Sequence, residues 1–248
     1  MTRDEIQRIV ERHQAWLKNP QLGERATLRG ADLAEAELAG VNLSKADLCG
    51  ANLSKAKLQG SDLRAVNLSI CADTTEADAL GTSVNLSRAD LSGADLSHAK
   101  LTNAHLSEAL LVDAKLNFAD LSWANLTGAD LSGAMLSRAY LIRTDLRGAN
   151  LSGADVMRGN LRGANLRRAK LLRTNFSRAN LGGANLSGAD LRDADLTDAD
   201  LTAADLTGAS LVRAKLNYAD LTGADLTGAD LTGASLGWAK GLKPHVSH

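Results

Sequence analysis

Aromatic side chains are scarce, with 3 Trp, 2 Tyr and 2 Phe among 248 residues. Aromatics normally supply a large part of a buried core, so another residue must fill this interior. Cysteine occurs only at Cys49 and Cys71, too few and too far apart for a disulfide framework or a paired metal motif. Free thiols in a reducing compartment are the expectation. Neither sign of charge is in excess: 28 Lys and Arg face 29 Asp and Glu, for a net charge of −1. This argues against a generally nucleic-acid-binding chain or an acidic tail. No window approaches a membrane span, and Met1-Thr2-Arg3-Asp4-Glu5 leads into no apolar signal core. Cytoplasm is therefore expected, without membrane attachment.

Catalytic constellations are missing too. His98 and His105 fall two repeat units apart, and His245 and His248 have no Cys or carboxylate at ligand spacing. No glycine loop of the phosphate-binding kind joins a strand to a helix. Asp recurs at regular intervals on solvated positions, where nothing would raise its pKa. The reading is a non-enzyme with no metal and no cofactor.

What the chain has is leucine at every fifth position, from Leu28 to Leu68 and again from Leu86 to Leu236. Of 40 such centres only Val156 and Phe176 depart from leucine, and 33 have alanine two positions earlier. Internal periodicity of this kind decides the architecture. A period of five fits neither a straight helix, where successive leucines would drift by roughly 140°, nor a straight strand, which would alternate them between faces. The chain must turn once per unit so that every leucine meets a common axis. Alanine stays small near a corner, the Asp or Asn before each leucine points outward, and the residue two after it lies at the turn.

The motif A-[D/N]-L-x-x, as in Ala129-Asp130-Leu131-Ser132-Gly133, resembles the pentapeptide-repeat family and runs through Ala26–Ile70 and Val84–Trp238. The resemblance implies an all-β solenoid, a right-handed quadrilateral parallel β-helix with four units per coil. Residues twenty apart would then stack, giving about ten coils at about 4.8 Å each. Val156 and Phe176 would be neighbours in one column, a small residue beside a large one, with Gly159 and Thr174 replacing inward alanines nearby.

Residues 1–25 form an N-terminal cap: Ile6, Ile9, Val10, His13, Trp16 and Leu17 share one helical face, with Thr2 or Asp4 as N-cap. The first repeat block covers 26–70, an inserted loop 71–83, the second block 84–238 and a tail 239–248. The loop carries Asp73, Glu76 and Asp78 and no basic residue. The C-terminal end, with Trp238 and Leu242, is expected either to pair with a second copy, as related family members do, or to fold its tail over the last coil.

Charge is uneven along the repeat. Arg138 to Arg178 holds ten basic and two acidic residues, whereas Asp190 to Asp205 holds six acids and one Arg. Folded by twenties, Arg138, Arg158 and Arg178 form one column with His98, Phe118, Asp198, Tyr218 and Trp238. Arginine and aromatics together are enriched at interfaces. The expected function is a protein-interaction scaffold, with Arg138, Arg158, Arg178, Phe118 and Tyr218 meeting an unidentified protein. Family resemblance supplies an alternative, a DNA mimic that binds DNA gyrase or topoisomerase IV and gives quinolone protection. Such mimicry needs a continuous negative face, which the arginine belt interrupts. Direct nucleic-acid binding is disfavoured because the belt spans few phosphates.

Overall fold

The computed structural model describes residues 1–69 and 83–242. The expected loop residues Asp73, Glu76 and Asp78 lie outside them. Over 27–69 and 83–240 the chain is a four-sided, right-handed parallel coil. Each residue preceding a centre pairs with its counterpart one coil on, from Thr27 with Asp47 to Asp220 with Lys240. Backbone bonds make that pairing: the Leu28 N–H donates to Asp47 O at 2.7 Å, and the Asp47 N–H donates to Ala26 O at 3.0 Å. Between the two blocks Asn52 pairs with Asn85, 33 positions on, and the interval of twenty resumes from Asn85 to His105. The stacking of the faces is therefore continuous across the insertion.

Each corner is a β-turn closed by a bond such as Ala31 N–H to Leu28 O at 3.1 Å. Its third residue sits at positive φ, as Gly30 does at 62°, the conformation that type II turns require. The outward Asp or Asn does more than face solvent. Its carboxyl or amide oxygen accepts the backbone N–H two residues on, as Asn42 does from Ser44 at 3.0 Å and Asp130 from Ser132 at 2.9 Å. This Asx bond fixes the approach to the turn, which is why the position is so often Asp or Asn.

Leucines and alanines form one continuous core, most with no solvent exposure. Each fully buried leucine contributes roughly 2 kcal/mol of transfer free energy. Two inward alanine positions hold threonine instead, and the reason is a hydrogen bond. The Thr144 hydroxyl donates to Leu121 O and the Thr174 hydroxyl to Leu151 O, both at 2.8 Å. Gly159 has no room for a methyl group, since a Cβ there would lie 2.9 Å from Val156 Cγ1. Val156 and Phe176 are both fully buried on adjacent coils of one face, as Asp155 pairs with Asn175. Ser61 is inward and buried, and its hydroxyl has no partner among the described residues.

The first coil is covered by α1 (Arg3–Lys18), whose N-cap is Thr2 in a reciprocal capping box with Glu5. Val10 and His13 are its buried residues. Gly23 lets the chain cross close under α1, because a Cβ would overlap the Arg12 carbonyl. The last coil has no described coil beyond it. Leu226, Leu231 and Leu236 are only half-buried. Gly241 takes the next centre, where a Cβ would overlap the backbone of Leu221 and Thr222, and Leu242 packs against the core's edge. Cys49 corrects one expectation. It is disulfide-bonded, so it is not a free thiol, and the compartment argument built on free thiols falls with it.

His13 fastens α1 to the first coil. Its Nε2 lies 2.9 Å from Ser44 O, and the Ala26 N–H donates to its Nδ1 at 3.0 Å. A carbonyl only accepts, so the ring is the neutral tautomer protonated at Nε2. Burial holds the pKa below its ordinary value of 6.5; the Ser44 carbonyl opposes this and the nearby Arg25 charge adds to it. The unfolded chain therefore binds more protons just below pH 6.5, and this contribution is full above that pH and lost as pH falls through it. Hydrogen exchange should show the 3–18 amides losing protection between pH 7 and pH 5 while the coil amides keep theirs; unchanged helix protection would refute the assignment. Chemical denaturation should also separate the inward hydroxyls. Thr174→Ala is expected to lose about 1 kcal/mol and Ser61→Ala to gain about 1 kcal/mol.

Candidate interaction surface

The turn residue at each corner is the chain's freest position in composition and its most costly in conformation. Non-glycine residues at positive φ cost roughly 1 kcal/mol each. Three of the four corner columns meet that cost by using glycine at about half their positions. The fourth has none. Counting faces from Leu86, so that Leu96 lies on the third and Leu101 on the fourth, Lys45, Ala65, His98, Phe118, Arg138, Arg158, Arg178, Asp198, Tyr218 and Trp238 follow one another up the corner between the third and fourth faces, all at φ between 53° and 64°. Large side chains are kept here in a conformation that favours glycine.

Several neighbours in this column touch. The His98 and Phe118 rings stack at 4.9 Å, with Arg138 over the other side of Phe118 at 5.6 Å. Arg178 lies 3.4 Å from Asp198, and Tyr218 stacks on Trp238 at 5.1 Å. The structure thus brings Arg138, Arg158, Arg178, Phe118 and Tyr218 into one file. Trp238 belongs to that file and is 77% exposed, while Leu242 lies on the core's edge.

The surface is wider than the column read from the sequence. The fourth face carries the leucines from Leu101 to Leu221, and it adds Tyr140 and Ile142 in one coil. On its far corner Arg143 covers Trp123 at 4.8 Å. Tyr140 and Trp123 are each about half exposed. Tyr140 occupies a position that is usually Asp or Asn, so it gives up the Asx bond. That substitution is visible in the sequence, and the same folding by twenties places Trp123 beneath Arg143. Higher on this face Gly182 and Gly183 bring the backbone to the surface of a shallow depression of about 470 Å³, flanked by Arg162, Asp200 and Thr202.

Electrostatically the arginine belt is uncompensated. Elsewhere cations pair along the stack, as in Lys55–Glu35 at 2.9 Å and Arg213–Asp193 at 2.7 Å. Of the nine basic residues from Arg138 to Arg173, only Arg147 forms an ion pair among the described residues. Carboxylates with shifted pKa values among the described residues are all shifted down. Arg213 holds Asp193 below its ordinary value and Arg192 does so for Asp190. Such groups stay ionised near neutral pH and are poorly suited to general-acid work. No group of His, Cys, Asp or Glu able to hold a metal ion occurs among the described residues, and no helix there is long and apolar enough to cross a membrane.

A family model described as pentapeptide repeats matches residues 31–69, 89–128, 124–163, 160–198 and 194–233, in 8 copies. Among solved structures, HetL from the cyanobacterium Nostoc sp. strain PCC 7120 is 37% identical, with a TM-score of 0.81 over 93% of this chain and 96% of its own. HetL is a pentapeptide repeat protein involved in heterocyst differentiation regulation. A pentapeptide repeat protein from the Arabidopsis thaliana thylakoid lumen is 34% identical over 42% of this chain and 70% of its own, with a TM-score of 0.33. QnrB1, a plasmid-mediated fluoroquinolone resistance protein, is 22% identical over 74% of this chain and 88% of its own, with a TM-score of 0.39. No curated protein matches.

If the corner arginines were there for folding, removing them would weaken the coil. Their positive φ argues the reverse. The variant Arg138→Gly/Arg158→Gly/Arg178→Gly is expected to melt no lower than the wild type, and by the conformational argument somewhat higher. A lower melting temperature would make the column structural.

Proposed function

Because the chain belongs to the pentapeptide-repeat family, we propose that it acts as a non-enzymatic scaffold whose arginine and aromatic corner, with the fourth face beside it, binds a protein partner. One observation carries the reading: ten consecutive corner positions without glycine, where the backbone favours glycine at each. Arg138 and Arg158 on the corner and Arg143 and Arg162 beside it, none of them in an ion pair among the described residues, together with the exposed rings of Phe118, Trp123 and Tyr140, give that surface the composition of an interface centre. A closed ladder also keeps the surface preorganised, so little ordering entropy opposes binding. HetL is involved in the regulation of heterocyst differentiation, and a regulatory role exercised through protein contact is the corresponding reading for this chain.

The topoisomerase alternative gains little support. The likeness to QnrB1 is of fold alone, and the arginine corner interrupts any continuous acidic stripe.

The test is capture from host lysate with wild type and with Arg138→Glu/Arg158→Glu/Arg178→Glu as baits, followed by hydrogen exchange on the purified pair. A protein partner lost with the triple variant, protecting amides between 118 and 162, is the expected result. An identical catch with both baits, or protection confined to another face, would overturn the assignment. Gyrase or topoisomerase IV subunits in the catch would instead favour the alternative.

A further inference from the structure

The fourth face and its corner are complementary to themselves. Below the level between Arg178 and Asp198 this surface is basic and aromatic, and above it acidic and aromatic. We propose that a second copy of this chain docks there side-on and antiparallel, about a two-fold axis lying across the face between those two residues. The pairing uses the arginine end of the surface assigned above and in that part rests on that reading.

The argument is geometric. A two-fold axis across the face, perpendicular to the coil axis, lays each column of one copy against the same column of the other, running in the opposite direction. Both copies have one repeat per coil, so the match stays in step along its length. Along the corner, Arg178 meets the second copy's Asp198, Arg158 meets its Tyr218 and Arg138 meets its Trp238. The first is an ion pair; in the other two the guanidinium lies beside the outward edge of a stacked ring. In the next column Asn180 and Asn160 meet Asp200 and Asp220, and Tyr140 meets Lys240. In the third column Thr202 of one copy falls on Gly182 of the other, at the depression that glycine opens.

Among the described residues no like charges meet in this arrangement. Moving the axis down by half a coil sets Arg178 against itself, and moving it up by half a coil sets Asp198 against itself. A parallel pairing of the same face sets Arg138 against Arg143 on the opposite corner. One register out of its neighbours is therefore selected by repulsion in the others. The contact spans six coils, roughly 30 Å by 10–15 Å, below the standard size of specific interfaces and in the class of weak, transient ones, so the dimer is expected only at high protein concentration.

Sedimentation velocity over a concentration series tests this with a charge exchange. Wild type should pass from monomer to dimer with rising concentration. Arg178→Asp and Asp198→Arg should each weaken self-association about tenfold or more. An equimolar mixture of the two variants should recover it, because each then presents the other's missing partner. Wild type that stays monomeric up to about 500 µM, a concentration at which even a contact near the millimolar limit begins to populate the dimer, would overturn the proposal. So would a dimer that neither variant weakens, which is the outcome expected of end-on pairing through the last coil. A monomer that still captures its protein partner through the arginine corner would sink this inference and leave the proposed function standing. A dimer that obeys the charge exchange but captures no partner would do the reverse.

Discussion

The structure depends on a turn that closes every five residues and returns the chain beneath itself after twenty. Everything else follows from that closure. The Leu28 N–H reaches Asp47 O, and the Asp47 N–H reaches Ala26 O, because the coil has neither drifted nor slipped. A slip of one residue would put every leucine outside and every aspartate inside, so the repeat enforces its own register. The Asx bond before each turn and the positive φ within it are the local devices that hold the closure. Leucine burial rewards it.

Closure of this kind separates the core from the surface. Two positions in five face inward and hold nearly the same residues throughout, while the outward positions accept a wider range of side chains. Chemistry on such a molecule is organised by column, at intervals of twenty, and is scattered in the linear sequence. His98, Phe118 and Arg138 are far apart along the chain yet stack ring on ring and cation on ring. The cost of placing them at positive φ is local and does not propagate, since each coil contacts only its neighbours.

Most of the architecture was legible because period and size are written directly in the leucines and alanines. The stacking of Val156 beside Phe176 and the file from His98 to Trp238 both follow from counting by twenties. Other features depend on atoms that counting does not place. Thr174 looks like a fault in the alanine column until its hydroxyl is seen on Leu151 O. The outward Asp and Asn are read as solvated, but their oxygens bind the backbone two residues on. Arg143 over Trp123 was open to the same counting and missed, because it lies one corner away from the arginine file. The Cys49 disulfide could not be read at all: two cysteines without a motif carry no spacing signal, and composition pointed the other way.

Why a rod should keep ten corner positions free of glycine is a question of competing free energies. Each such residue costs the fold roughly 1 kcal/mol, and contact along the column returns only part of it. An exposed stacked pair or cation–π contact is worth about 0.5–1 kcal/mol, and the exposed ion pair Arg178–Asp198 contributes no more. Arg158 and Lys45 have no ring or carboxylate partner along the column. Internal contacts therefore do not account for the column. That shortfall is what motivates the proposal that a partner desolvates those arginines and rings. Once water is excluded the same contacts strengthen, because a cation over a ring or beside a carboxylate gains as the local dielectric falls.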